Sequence, residues 1–207
     1  MIAQVRAKLP AGDAATLLAI DGSINTDVAA QVKRLTKLTP GATHLFISSG
    51  GNDALQNSNV FFVPVQHVGE GMRVMSKLVT AFAQDYRAML QAVLALDLPV
   101  TLCTIYNPCF TAHSPERLGG SFDLMTPTEP ARFEQFAVAA LMMFNDVIIR
   151  AAFEHDLKII ELRSIFTDAA DYANPIEPSM QGGEKLARRM VESVKSTPPS
   201  LGDTPST

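Results

Sequence analysis

Short apolar runs alternate along the chain with longer stretches whose apolar positions recur at helical spacing, and this alternation predicts an α/β protein built on a parallel sheet. Ile2, Val5 and Leu9 share one helical face, and Pro10 and Gly12 stop that first helix. Thr16 to Ile20 (TLLAI) reads as a buried strand. The next helix takes Thr26 as its N-cap, carries Val28, Val32 and Leu35 along one stripe, and ends before Pro40 and Gly41. Thr43 to Ser49 is a second strand, an amphipathic helix runs from about Gly71 to Leu96, and Pro99 to Tyr106 is a third strand. The connection from Asn107 to Pro130 is rich in Pro, Gly and Ser and longer than a tight turn needs, which marks it as a functional lip. A helix from Ala131 to about His155 precedes a fourth strand, Leu157 to Leu162, and the last helix turns Leu186, Met190 and Val194 inward.

Composition narrows the class. The 207 residues are 47% hydrophobic and 18% charged, enough for one domain over 1–195. The tail 196–207 has no Met or Phe and is expected to be disordered. Seventeen basic against 21 acidic side chains leave a net charge of −4, without the basic excess that nucleic acid requires. No uninterrupted apolar run approaches the roughly 20 residues of a membrane span. The N-terminus MIAQVRAKLP lacks a signal peptide's apolar core, so a cytoplasmic location is expected. Cys103 and Cys109 do not have the spacing of a zinc or redox motif and are expected to be reduced thiols.

In a parallel sheet the strands' C-terminal ends share one edge, and ligands bind in the loops along it. Those loops are Asp21 to Asn25, Gly50 to Asp53, Asn107 to Cys109, and Asp171 to Ser179. Gly50-Gly51-Asn52-Asp53 combines glycines that let the backbone turn closely with a side-chain amide able to donate two hydrogen bonds, a pairing suited to an oxyanion. The same letters also serve as ordinary turn chemistry. Together with the glycine loop ahead of it, the segment Asn174-Pro175-Ile176-Glu177-Pro178-Ser179, and the Gly182-Gly183 helix start, it resembles the SGNH/GDSL family of serine ester hydrolases over most of Met1 to Val194.

That resemblance implies a flavodoxin-like three-layer α/β/α fold with a parallel sheet in the order 2-1-3-4-5. It implies that Asn52, in the family's Gly-x-Asn-Asp block over Gly50 to Asp53, is the oxyanion-hole amide, and that Gly22 supplies a backbone N–H to the same oxygen. Two catalytic parts of the pattern are unmatched. The family's Gly-Asp-Ser block ends its first, central strand, yet this chain opens on the helix that should follow it, so the strand and serine block are expected to lie ahead of Met1, or the sheet to have closed up. Alternatively Asp21-Gly22-Ser23 is the serine block with letters exchanged, or Ser23 is a loop hydroxyl. Ser48 and Ser49 are buried strand-end serines on the same reading. Where the family has Asp-x-x-His-Pro, this chain has Asn174, Pro175, Ile176, Glu177 and Pro178. Glu177 is then either a base raised by burial and held by Asn174, or a plain loop carboxylate with Asp171 nearby. Among the histidines, His113 in the lip is the one placed to fold over the edge, while His44 begins a strand, His67 lies in a connection and the helix dipole explains His155. Arg163 either faces an acidic leaving group or pairs with Glu161 or Asp168.

The resemblance implies hydrolysis of an ester of a small molecule, lipid or acylated sugar, with no cofactor and no metal. The competing class is a non-catalytic descendant that keeps the pocket to bind a ligand. A nucleotide binder lacks its Gly-rich phosphate loop here. Oligomeric state is open at this level.

Overall fold

Leu45–Ser48 (β1), Val100–Cys103 (β2) and Lys158–Ile160 (β3) form a parallel sheet in the order β1-β2-β3 in the computed structural model, which describes residues 1–37, 41–113 and 129–195. The tail from Ser196, Pro40, and residues 114–128 of the expected lip lie outside the described residues. Leu45 faces Val100 and Ser48 faces Cys103, while Thr101 faces Lys158 and Cys103 faces Ile160. All of β2 is buried, as befits a strand covered on both faces.

The helices are Ile2–Lys8 (α1), Asn25–Val32 (α2), Gly51–Gln56 (α3), Val68–Leu94 (α4), Pro130–Glu154 (α5) and Met180–Lys195 (α6). Successive strand residues point to opposite faces and so define two cores. Leu45, Ile47 and Leu102 join α2, α4 and α5 in the first. Phe46, Cys103 and Ile160 join Leu186 and Met190 of α6 and Val5 of α1 in the second. A hairpin of Tyr172–Asn174 (β4) and Glu177–Pro178 (β5) leads into α6.

The helix α5 is long and apolar enough to cross a membrane by length and composition; here Leu141, Phe144 and Ile148 lie in the core with α4. Asn145 sits in that stripe completely buried, accepting from Ile105 N at 2.7 Å and donating to Ile105 O at 2.9 Å. Both polar groups of the strand end are thereby satisfied, and α5 is fixed to the site edge. At the start of α4, His67 Nδ1 accepts from Glu70 N at 3.1 Å while Glu70 Oε2 accepts from Gln66 N at 2.9 Å, so His67 is a helix cap.

Three expectations are corrected. The strand at Thr16–Ile20 does not form: residues 13–20 have no ladder partner, and Leu17 and Ile20 are 49% and 58% exposed. The carbonyls of Ala15 and Leu18 accept instead from Arg6 Nε and Arg34 Nη1. The sheet has therefore not closed up around this segment, and among the described residues β1 pairs with β2 alone. Thr26 lies inside α2, whose cap is Ile24; the Ile24 N–H donates to Asp27 Oδ2 at 3.0 Å. Val194 is 47% exposed, because positions four apart drift about 40° around a helix and by the last turn the stripe has left the buried face.

Candidate active site

Gly50 turns the chain out of β1 with φ +111°, and a side chain there would meet the Phe82 ring at 3.0 Å and Ile105 at 3.2 Å. The turn directs Asn52 across to the preceding loop, where its Nδ2 donates to Ser23 O at 2.9 Å. One of the two amide hydrogens is thereby committed to Ser23. Asp53 reaches the same loop differently: its carboxylate oxygens accept the Asn25 N–H at 3.3 and 3.2 Å. Burial pushes the Asp53 carboxyl above its ordinary value, against the downward pull of that N–H. Ser49 Oγ donates to Asn25 Oδ1 at 2.7 Å, and the completely buried Asn25 has an Nδ2 without a partner.

These loops border a cavity of about 630 Å³ at the C-terminal edge of the sheet. Ser23, Gly50, Asn52 and Glu177 all line it, and so do Ser48 and Ser49. Gly22, Asp53 and Asn174 do not line it. Gly22 has φ +78°, and its N–H donates to Asp21 Oδ1 at 3.0 Å. Ser48, expected to be buried, is exposed because it ends the strand on the unpaired edge.

The opposite lip is the β4–β5 hairpin. Asn174 Oδ1 accepts from Ile176 N at 3.0 Å and Glu177 N at 2.9 Å, closing an Asx turn, while its Nδ2 donates to Glu177 Oε2 at 2.8 Å. Glu177 is exposed, so the burial that would have prepared it as a base is absent. The hairpin is fastened to the loop after β2 by three bonds: Tyr106 OH to Ile176 O at 2.6 Å, Cys109 N to Pro175 O at 2.8 Å, and Tyr172 OH to Asn107 O at 2.7 Å. Burial, and secondarily the Glu177 charge, push the Tyr106 phenol well above its ordinary value. It therefore serves as a neutral donor.

The remaining candidates have structural work. Asp171 is completely buried, bound by Lys185 Nζ at 2.7 Å, Gln181 Nε2 at 3.0 Å and Thr167 N at 3.0 Å. Burial alone would raise its carboxyl, but those donors outweigh it and hold the group below its ordinary value. Arg163 Nε donates to Glu161 Oε1 at 2.7 Å and does not border the cavity. Thr104 Oγ1 donates to the same Glu161 oxygen at 2.8 Å and accepts from Leu162 N at 2.8 Å, which ties β2 to the turn after β3. His113 bonds Ala169 O at 3.0 Å, and His44 bonds Thr101 Oγ1 at 2.9 Å; neither lines the cavity. Both cysteines are free, and burial pushes the Cys103 thiol up to about 12. Among the described residues, no group of three or more His, Cys, Asp or Glu is placed to hold a metal.

A parallel sheet covered by helices on both faces, with an Asn-bearing glycine turn over a strand-edge cavity, is a three-layer α/β arrangement. Solved structures share the fold. An extracellular lipase from Streptomyces rimosus matches with 19% identity over 84% of this chain and 77% of that one, at a TM-score of 0.52. A member of the lipolytic G-D-S-L family from Veillonella parvula DSM 2008 matches with 13% identity over 86% and 78%, at 0.52. The acetyl xylan esterase AlAXEase matches with 14% identity over 84% and 78%, at 0.54. No family model matches the chain, and no curated protein matches it in sequence. The chain shares the fold of the GDSL/SGNH lipolytic proteins, as the resemblance in its loops implied.

Proposed function

We propose that the chain is an SGNH/GDSL-type hydrolase that cleaves an ester of a small molecule, a lipid or an acylated sugar. The observation that carries this reading is Asn52, which lines the cavity and is held by Ser23 O at 2.9 Å. A hydroxyl oxygen adds to the ester carbonyl carbon as its proton passes to a base. The carbonyl oxygen, now an oxyanion, accepts from the Asn52 amide. The bond to the alcohol oxygen breaks, the alcohol takes up the proton, and water releases the acyl group by the same sequence.

In this reading Ser23, on the cavity with Asn52, is the assigned nucleophile, its Oγ accepting from Gln31 Nε2 at 2.8 Å. Glu177 is the assigned proton acceptor, and Asn174 its positioning residue.

A second reading, a ligand-binding protein without catalysis, is favoured by the exposure of Glu177 and by the commitment of the Gly22 N–H to Asp21. A fluorophosphonate probe applied to the protein separates the two. A serine adduct is expected from a hydrolase. Absence of any adduct, with a folded protein, favours the binding reading.

A further inference from the structure

Residues 62–72, which run from the short turn after α3 into the start of α4, hold five large apolar side chains in the open: Phe62, Val63, Val65, Val68 and Met72 are 45% to 81% exposed. A Cβ built at Gly71 would touch Val65 at 3.9 Å, so the loop folds back on the helix start and these side chains share one region. The first turns of α5 adjoin it, since Phe62 stacks on Phe133 at 6.1 Å and Phe61 lies 6.2 Å from the exposed Phe136. Apolar side chains gathered in this way mark an interaction surface. Cations are set into its border. Arg73 and Lys77, four apart on the exposed side of α4, form no ion pair among the described residues, and Arg132 lies 5.5 Å over the Phe136 ring and 3.5 Å from Glu129. The other acidic groups nearby are occupied: Glu70 accepts from the Gln66 N–H and Glu134 from the Thr111 N–H.

We propose that residues 62–72, with the first turns of α5, dock the molecule on a lipid bilayer, the apolar side chains entering the headgroup boundary while Arg73, Lys77 and Arg132 meet anionic headgroups. None of the five apolar side chains lines the cavity, and Val68 is the most exposed of them, so they stand out from the molecule and offer a protein partner no pocket to fill. A bilayer needs no complementary shape, only apolar area to bury and charge to pair. The long stems of Arg73 and Lys77 let their charged ends reach headgroups while the methylenes stay with the apolar side chains. The proposal stands whether or not the chain hydrolyses an ester.

Flotation of the full chain with vesicles of phosphatidylcholine, alone or mixed with phosphatidylserine, tests this. The protein is expected to float with both and more completely with the anionic vesicles. The double variant Val68→Ser, Met72→Ser is expected to lose at least about ten-fold in partition into either vesicle. Arg73→Gln and Lys77→Gln are each expected to cost roughly five-fold on phosphatidylserine vesicles and to leave partition into phosphatidylcholine unchanged. All four positions are exposed, and circular dichroism checks that the variants fold as the wild type does. If one does not, wild-type flotation decides alone. No flotation with either vesicle, or flotation that neither set of substitutions weakens, overturns the proposal. Light scattering without lipid tests the competing occupant: a monomer is expected, and a dimer that Val68→Ser, Met72→Ser dissociates would give this surface to a second copy and overturn the assignment to lipid.

Discussion

Asp53 gives up charge-state freedom to hold two loops together: burial raises its carboxyl, yet both oxygens are engaged by the Asn25 N–H. A carboxyl whose folded value is raised stabilises the fold while protonated, below its ordinary value, and loses that contribution as pH rises through the folded value. Asp53→Asn keeps an acceptor for Asn25 and removes the charge. Its Tm is expected to equal or exceed the wild type's at pH 7, with a smaller fall in Tm as pH rises from about 4 to 6. A lower Tm across the range contradicts this. Asn145 is the opposite case, since it supplies both partners for the Ile105 backbone at 0% exposure. Asn145→Leu leaves two buried backbone groups unpaired and is expected to cost roughly 2 to 4 kcal/mol in urea denaturation. Neither role was legible from the residues. Asp53 reads as part of a ligand loop, and a lone Asn in an apolar helical stripe gives no sign of the strand end it will meet. His67 did leave a signal, the Glu three positions on that marks a helix start.

Among the elements, the long helices were legible because periodicity over seven turns is hard to mistake, and α4 and α5 lie within a few residues of their predicted bounds. The failed strand at Thr16–Ile20 has the composition of one. Strand formation depends on a ladder partner that no local sequence records, and here none is present beside it. The Gly182-Gly183 pair shows how a local feature divides in three dimensions. A Cβ at Gly182 would strike the Asp171 carbonyl, whereas at Gly183 it would meet the flexible end of Gln4 at 2.9 Å. Gly182→Ala is accordingly expected to lose about 1 to 3 kcal/mol in thermal or urea unfolding, with Gly183→Ala losing less. Equal losses would place the constraint in the helix backbone and not in the contact with the hairpin.

For the molecule as a whole, the hairpin that carries Glu177 is anchored through Asp171, whose donors hold its carboxyl below the ordinary value against burial. Glu161 is likewise held low, mainly by its bonds from Arg163. Groups depressed in the folded state stabilise it above their ordinary values, and that contribution is lost as pH falls through the folded ones. Stability is thus expected to drop as pH falls below about 4. Lys185→Gln, which leaves the buried Asp171 without its cation, is expected to lower Tm at pH 7, the gap to wild type narrowing in acid as Asp171 protonates. A gap of constant size would assign Lys185 a role other than charge pairing.

Fold and cavity converge on Asn52, the amide offered to a developing negative charge. The decisive measurement is kcat and KM on p-nitrophenyl octanoate for the protein, beside its Asn52→Ala variant. Loss of about 10²- to 10³-fold in kcat, with KM changed little, is the expected result. Equal rates for the two proteins would contradict an oxyanion role for this residue and, with it, the hydrolytic site.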